Sequence, residues 1–334
     1  MLLLSSVGCR VPYLLHVGAG QVRLLLDRER FTPETEARLT EQERRGLGAL
    51  REALVYGETI GLAKSTSHRH LIDRGGRGLV TVVTAAPRDR LESVTWWFPI
   101  VGSVPYRGYF DPALAGRFAE SLTAQELDTY VRPALLYSTL GWFDDPVPRA
   151  LLRLDPFEVA DTVLHERVHE TIFVSSDGRY NEGIAVFIAH EATLRLYADR
   201  AEDGGAAERA FADQRRFAGL LERLASRLEG VYQKGLPADE ILEHRRALFQ
   251  AAQTTDFEAI EWETDRYSGF PRAPLSNAYI VARRTYLGDL PCFEAELASL
   301  KGDLERFVGG HLEEPGRRLS SEGACRFGPA PALR

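Results

Sequence analysis

The chain has 334 residues, of which 44% are hydrophobic and 27% are charged. At this length it can bury a full hydrophobic core, either as one large domain or as two modest ones. Because the net charge is −7 and no basic tract is present, the composition argues against nucleic acid as a partner.

Residues 1–9 read MLLLSSVGC, a short apolar run that ends at small residues before Cys9. The run is similar to the end of a bacterial lipoprotein signal, which would attach a lipid to Cys9 and hold the protein at the cell envelope. It departs from that pattern because it has no basic segment and because Ser6 stands where an aliphatic residue is usual. The alternative is the apolar end of a cytoplasmic protein. No later run is apolar enough to span a bilayer, so we expect any membrane attachment to be through this lipid.

Helical patterns dominate the next region, and we predict a helical arm over residues 10–75. Within it, Thr32, Pro33 and Glu34 predict the start of a helix that continues to Ile60.

A small, twisted, mostly antiparallel sheet is predicted within residues 76–150. Residues 79–86 and 93–101 are rich in β-branched and aromatic side chains, which is typical of strands. We expect residues 87–90 to form the hairpin turn between them.

The sheet region continues with residues 105–110, which read PYRGYF. Tyr106 and Arg107 either line a cleft or belong to a partly exposed strand. A helix is predicted from Asp111 to about Leu122, followed by further short strands.

The helix predicted from Asp155 carries the motif on which the functional interpretation depends. Asp155 is a suitable N-cap, Pro156 occupies the first helical position, and Glu158 could complete a capping box. The motif HERVH then places His165 and His169 one turn apart, so that both imidazoles lie on one face.

This spacing is the one by which two histidines bind a single zinc ion. Glu166 follows the first histidine directly, at the position from which a carboxylate accepts a proton from the attacking water. Turn-forming residues at 175–178 end the helix, and a second helix starts near Tyr180. Glu182 lies in its first turn, so the helix pair can bring Glu182 beside the histidines as a third Zn²⁺ ligand with an open fourth position.

The remainder of residues 151–312 is predicted to be a helical lobe, and residues 313–334 a disordered tail. His190 is interpreted as a core residue or as a packing partner of the metal ligands, and His244 as a surface residue. His68 and His70 are predicted to lie in a solvated polar loop.

The segments 98–111, 137–146, 165–171, 181–187 and 276–286 carry a family resemblance. HExxH followed by Asn181-Glu182 resembles the gluzincin type of zincin metallopeptidases, and the full set of segments resembles a bacterial family of zinc aminopeptidases that are often lipoprotein-like. The resemblance implies a predominantly helical α+β, zincin-like fold in a single metallopeptidase domain over residues 10–312.

The resemblance also implies roles for residues outside the motif. In zincins an edge strand precedes the active helix and binds substrate through its main chain, which assigns this role to residues 137–145. Gly141 would permit close approach of the substrate, and Asp144 and Asp145 either bind the α-amine of a peptide or form a turn before Pro146.

A donor that stabilises the oxyanion is expected from the C-terminal part of such enzymes. Tyr286 and Asn277 are the candidates and Tyr279 is a reserve; the alternative for each is a buried structural residue. Thermolysin-like enzymes orient one ligand histidine through an aspartate, but here Val186 occupies that position. The orienting group would then be Glu191 or Asp161.

The favoured function is zinc-dependent hydrolysis of peptide bonds, by an aminopeptidase or alternatively an endopeptidase. The competing hypothesis is a zinc-bearing envelope protein that binds peptides without cleaving them. The presence of Glu166 argues against it, because a purely structural zinc site has no use for that carboxylate.

Overall fold

Helices dominate the part of the chain that the computed structural model describes, which comprises residues 10–75, 78–98, 101–136, 144–287 and 290–316. The predicted fold class, α+β and predominantly helical, is confirmed. Cys9 and the end of the predicted tail lie outside the described residues. The lipid at Cys9, the cell-envelope localisation and the division into arm, sheet lobe and helical lobe therefore stay predictions.

The N-terminal region contains α1 (Arg10–Asp27), β1 (Glu29–Arg30), α2 (Pro33–Ala37) and α3 (Glu41–Thr59). The prediction of one helix from Thr32 to Ile60 was wrong, because a second cap interrupts it. Thr32 caps only the short α2, and Thr40 then forms a capping box with Glu43 and starts α3.

The strands form three small sheets. They are β2 (His70–Ile72), β3 (Val80–Ala86), β4 (Trp96–Phe98), β5 (Gly102–Val104), β6 (Arg107–Tyr109), β7 (Asp128–Ala134) and β8 (Val147–Pro148). The first sheet has the order β1-β2-β8, the second is antiparallel with the order β6-β3-β7, and β4 pairs with β5.

The predicted hairpin between residues 79–86 and 93–101 was wrong. Both segments contain strands, but β3 pairs with β6 and β7 while β4 pairs with β5. The predicted helix after Asp111 is confirmed as α4 (Pro112–Thr123), and the Asp111 side chain accepts a hydrogen bond from the Ala113 amide at 2.9 Å.

Helices make up the rest of the described chain, joined by turns and two short 3₁₀ segments at Leu151–Arg153 and Phe270–Arg272. They are α5 (Pro156–Thr171), α6 (Gly178–Tyr197), α7 (Ala201–Tyr232), α8 (Ala238–Gln253), α9 (Thr255–Glu258), α10 (Asn277–Leu287), α11 (Leu290–Ser299) and α12 (Leu304–Glu313). None of the helices in the described ranges is both long and apolar enough to cross a membrane.

The largest hydrophobic cluster surrounds α5 and α6. Leu50 and Ala53 of α3, Leu164 of α5 and Ile184 of α6 are all buried in it. Burial of so much apolar surface stabilises the α5–α6 pair at the centre of the molecule. The position of that pair is therefore held from several sides at once.

A buried polar chain adds to this support. The Tyr180 hydroxyl lies 2.9 Å from Nδ1 of His311, and Nε2 of His311 lies 3.0 Å from a carboxylate oxygen of Glu296. Tyr180 lies in the first turn of α6, so these contacts connect the start of α6 to α11 and α12.

Candidate metal centre and surrounding cleft

Helix α5 begins as predicted at Pro156, with Asp155 as its N-cap residue. The predicted capping box is absent, because the Asp155 side chain makes no capping hydrogen bond and Glu158 instead forms an ion pair with Arg266 at 2.8 Å. The helix continues to Thr171 and so carries the whole HERVH motif.

The turn between α5 and α6 is held by Asn181, the residue before Glu182. Its side-chain oxygen accepts from the Val174 amide and its side-chain nitrogen donates to the Val174 carbonyl, both at 2.8 Å. Asp177 caps α6 by accepting a hydrogen bond from the Tyr180 amide. These contacts fold the second helix back so that Glu182 faces α5.

His165, His169 and Glu182 converge in the folded chain. The Nε2 atoms of the two histidines lie 3.1 Å apart, and Oε2 of Glu182 lies 3.4 Å from His165 Nε2 and 3.5 Å from His169 Nε2. Ligand atoms bound at about 2.0–2.1 Å to one tetrahedral ion lie roughly 3.3 Å from one another. The triangle therefore has the size that a single metal ion requires.

Within this cluster, the carboxylate of Glu182 and the imidazoles stabilise each other's charged forms. Burial alone would lower the pKa of His169, but the nearby carboxylate of Glu182 outweighs burial and raises it. Burial alone would raise the pKa of Glu182, but the two imidazoles outweigh burial and hold it well below its usual range. The site thus keeps Glu182 ionised, which is the state that binds a cation.

Glu166 follows His165 on α5, and its Oε2 atom is buried with no hydrogen-bond partner among the residues that the structure describes. A buried carboxylate oxygen without a donor is uncommon, because leaving such a group unpaired costs free energy. The unused oxygen can accept a proton or a hydrogen bond from a molecule bound in the cleft.

Tyr286 of α10 lies beside the cluster, as its predicted role required. Its ring is stacked against that of His165, with centroids 6.3 Å apart and planes at 23°. Its hydroxyl accepts a hydrogen bond from Nη2 of Arg132 at 3.0 Å. Burial raises the pKa of Tyr286, and the charge of Glu182 raises it further, so the phenol keeps its proton.

Tyr106 is the second hydroxyl near the cluster. Burial raises its pKa well above the ordinary value, and the charges of Glu182 and Glu166 add to the effect, so it lies within their electrostatic reach. Arg107 does not share this position. Its guanidinium packs over the rings of Tyr13, Trp96 and Phe118, at 4.8–5.5 Å from their centroids.

The predicted substrate strand falls mainly on residues 137–143, so Gly141 lies outside the described residues. Asp144 is described, and its carboxylate lies 3.1 Å from Nδ1 of His70 and 3.9 Å from Nη1 of Arg28. The other carboxylate oxygen, Oδ1, is buried with no hydrogen-bond partner among the described residues, so the role of Asp144 at the α-amine of a substrate stays a prediction. Asp145 is buried, and its carbonyl accepts from the His68 amide at 2.8 Å.

Asn277 has a different place from the one predicted for it. Its fully buried side chain donates to the carbonyl oxygens of Pro87 and Arg90, at 2.9 and 3.1 Å, and accepts from the Tyr232 hydroxyl at 2.8 Å. With both polar atoms of the amide used, Asn277 fastens the turn after β3. This placement does not support a role in binding substrate.

Glu191 and Asp161, the two candidates for orienting a histidine of the cluster, lie in different surroundings. Glu191 pairs with Arg195 at 2.8 Å, while Asp161 lies one turn before His165 on α5 and 3.7 Å from Nε2 of His190. His190 packs against Phe211 with ring centroids 4.0 Å apart, which fits the predicted packing role, and burial lowers its pKa to about 3.

The prediction that His68 is solvated was wrong. His68 is 4% exposed, and burial lowers its pKa to about 4. His70 is half-buried beside Asp144, whereas His244 is exposed as predicted. The polar composition of the loop predicted solvent exposure, but the fold buries His68.

Arg132 was missed by sequence reasoning. It lies on β7, and nothing in the local pattern of that strand marks it as part of a site formed with α10. Only the packing of α10 on the sheet brings it to Tyr286.

The family model described as "Putative aminopeptidase" matches residues 12–313. No protein of curated function and no solved structure matches the chain. Because the matched segment contains the α5–α6 pair, α10 and all the strands, the chain belongs to this aminopeptidase family.

Proposed function

We propose that the protein is a zinc-dependent peptidase, and within that class an aminopeptidase. The observation that carries the proposal is the triangle formed by His165, His169 and Glu182, whose edges of 3.1–3.5 Å fit one tetrahedral ion. Two imidazoles and one carboxylate are the donor set of catalytic zinc sites, which keep one coordination position open.

The three ligands would hold the ion through Nε2 of each histidine and a carboxylate oxygen of Glu182. When bound, zinc supplies a Lewis acid that polarises the scissile carbonyl and makes water a better nucleophile near neutral pH. The Oε2 atom of Glu166, which is buried and has no hydrogen-bond partner in the described part of the chain, would accept the proton of the attacking water. Glu166 then passes this proton to the leaving amine.

Tyr286 would donate its phenolic proton to the oxygen that becomes negatively charged as the carbonyl is attacked. The hydrogen bond from Arg132 supports this role, because it occupies a lone pair of the Tyr286 oxygen and leaves the proton free to point into the cleft. Tyr106 is a second hydroxyl within electrostatic reach of the same acidic groups.

The aminopeptidase assignment rests on the family match, which covers residues 12–313. It can be tested by comparing turnover of one peptide with a free N-terminus and the same peptide with an acetylated N-terminus. An aminopeptidase cleaves only the free form. Equal cleavage of both would make the protein an endopeptidase and contradict this part of the proposal.

The zinc assignment is tested by metal analysis of purified protein together with peptide turnover before and after chelation. We expect about one zinc per chain, loss of turnover with chelator and recovery on adding zinc. Glu182→Ala should lose both metal and turnover. Glu191→Ala removes a carboxylate that lies on the same helix and pairs with Arg195. This variant should keep both the metal and the turnover. Zinc binding without turnover of any peptide would instead favour a non-catalytic binding protein.

A further inference from the structure

A cavity of about 550 Å³ shares part of its wall with residues that neighbour His165 and Glu182. Tyr286, whose ring stacks on His165, forms part of its wall. Val186, one helical turn after Glu182, forms another part. A peptide whose scissile bond lies at the metal cluster can therefore extend a neighbouring group into this cavity.

The wall of the cavity is aromatic and cationic. Tyr267 and Tyr279 contribute rings, and Arg266 and Arg283 contribute guanidinium groups, but no aspartate or glutamate is among the lining residues that the structure describes. Arg266 is already paired with Glu158 at 2.8 Å. The charge that remains to be compensated is that of Arg283.

Arg283 differs from the arginine next to it on α10. Arg284 pairs with Glu222 and Glu229, each at 2.9 Å. For Arg283, no carboxylate in the described ranges lies within ion-pair distance, and its buried Nε atom has no hydrogen-bond partner. Its guanidinium lies 5.4 Å from the centroid of the Tyr279 ring, which is also part of the cavity wall.

A half-buried guanidinium without a counter-ion is costly, and a carboxylate from a bound molecule would remove that cost through charge-assisted hydrogen bonds. We propose that this cavity is a substrate subsite that binds a carboxylate of the peptide, with Arg283 as its main contact. The proposal rests on the proposed peptidase function. The carboxylate belongs either to an acidic side chain or to the C-terminus of a short peptide.

The positive charge of the cavity wall also affects the direction in which a peptide would bind. A cationic wall repels the α-ammonium group of a peptide, so the N-terminus would lie away from this cavity. The aromatic rings add apolar contact for the stem of an acidic side chain. Substrates with a carboxylate at this subsite would therefore bind more tightly than isosteric amides.

The experiment is calorimetric binding to the Glu166→Gln protein, so that peptides are not consumed. The probes are alanine tripeptides with Glu or Gln at the first or second position, each with a C-terminal carboxylate or a C-terminal amide. We expect at least about tenfold tighter binding of one carboxylate form over its amide. Which pair shows the difference identifies the side chain or the C-terminus as the source.

The added change Arg283→Gln should abolish that difference, whereas Arg246→Gln, which removes a charge from an exposed position on α8, should preserve it. Arg283→Lys serves as a second variant that keeps the charge and should retain part of the preference. An unchanged preference in a folded Arg283→Gln protein, or equal binding of every acid and amide, would overturn the proposal. An Arg283-dependent preference without any turnover of peptides by the wild type would leave the subsite standing and refute the peptidase.

Discussion

Nη2 of Arg132 donates a hydrogen bond of 3.0 Å to the hydroxyl oxygen of Tyr286. The two residues come from β7 and α10, and the Tyr286 ring in turn stacks on His165. This arrangement links the second sheet directly to the cluster of His165, His169 and Glu182. Because a guanidinium can only donate hydrogen bonds, the phenolic proton of Tyr286 is left free for an acceptor other than Arg132.

Tyr286→Phe should lower kcat about 10²-fold while the zinc content stays unchanged, because it removes only a donor to the developing oxyanion. Steady-state kinetics with parallel metal analysis checks this. Tyr197→Phe is the matched control, since the Tyr197 hydroxyl is buried and finds no hydrogen-bond partner within the described ranges. A Tyr286→Phe protein with wild-type kcat would remove this residue from the mechanism.

Arg132→Gln should lower kcat with little change in KM, because Arg132 acts by holding Tyr286. Combined with Tyr286→Phe it should cause almost no further loss, since the two residues act as one unit. The measurement is a double-mutant cycle on kcat. Multiplicative losses would mean that Arg132 acts independently of Tyr286.

Glu166→Gln should keep about one zinc per chain and lose about 10³-fold or more in kcat, because the amide cannot accept the proton. Metal analysis and turnover of the same preparation test both halves of this statement. Turnover at the wild-type rate would show that another group acts as the base.

Asn277→Ala should destabilise the fold by about 3 kcal/mol, because it leaves two carbonyls and a tyrosine hydroxyl without partners in a buried place. Urea unfolding gives the free energy, and kcat and KM per folded molecule should remain near wild type. A raised KM at unchanged stability would instead favour contact with substrate.

Glu43 should make unfolding depend on pH in the acid range. Its carboxylate is fully buried and accepts hydrogen bonds from Arg149 and Arg153, each at 2.8 Å. The hydrogen bond from Arg149 lowers the pKa of Glu43 far below its usual 4.5, although burial opposes this. Its contribution to stability is therefore complete above about pH 4.5 and is lost as the pH falls through the lowered pKa.

Glu43→Gln should cost about 1–3 kcal/mol at pH 7, because Arg149 and Arg153 lose the carboxylate that accepts their hydrogen bonds, and should flatten the loss of stability below pH 4.5. Chemical unfolding at several pH values measures both effects. Glu41→Gln is the control, since Glu41 is exposed and forms an ion pair with Arg44 on the same helix. An unchanged acid slope in Glu43→Gln would assign that slope to other carboxylates.

The α5–α6 pair was predictable because its signals are local. Turn-forming residues and the spacing of His165 and His169 predicted two helices joined by a short turn. A helix fixes which side chains share a face, so the common face of His165 and His169 followed from their spacing alone.

Errors arose where contacts join distant segments. Strands β3 and β4 were identified, but their pairing was not, because sequence shows strand propensity and does not show which edges meet. Asn277 was assigned to the cleft by family resemblance, yet three hydrogen bonds from other elements bind it to a turn.

Local sequence signals sufficed to predict the α5–α6 pair and the shared face of His165 and His169, since both depend on contacts within a few turns of one chain segment. The contact of Arg132 with Tyr286, the separation of Arg107 from Tyr106, and the position of Arg283 at a cavity with no aspartate or glutamate among its described lining residues could not be predicted in this way. Each of these depends on how separate elements pack, and the free energy of that packing comes from many weak contacts spread over the whole chain.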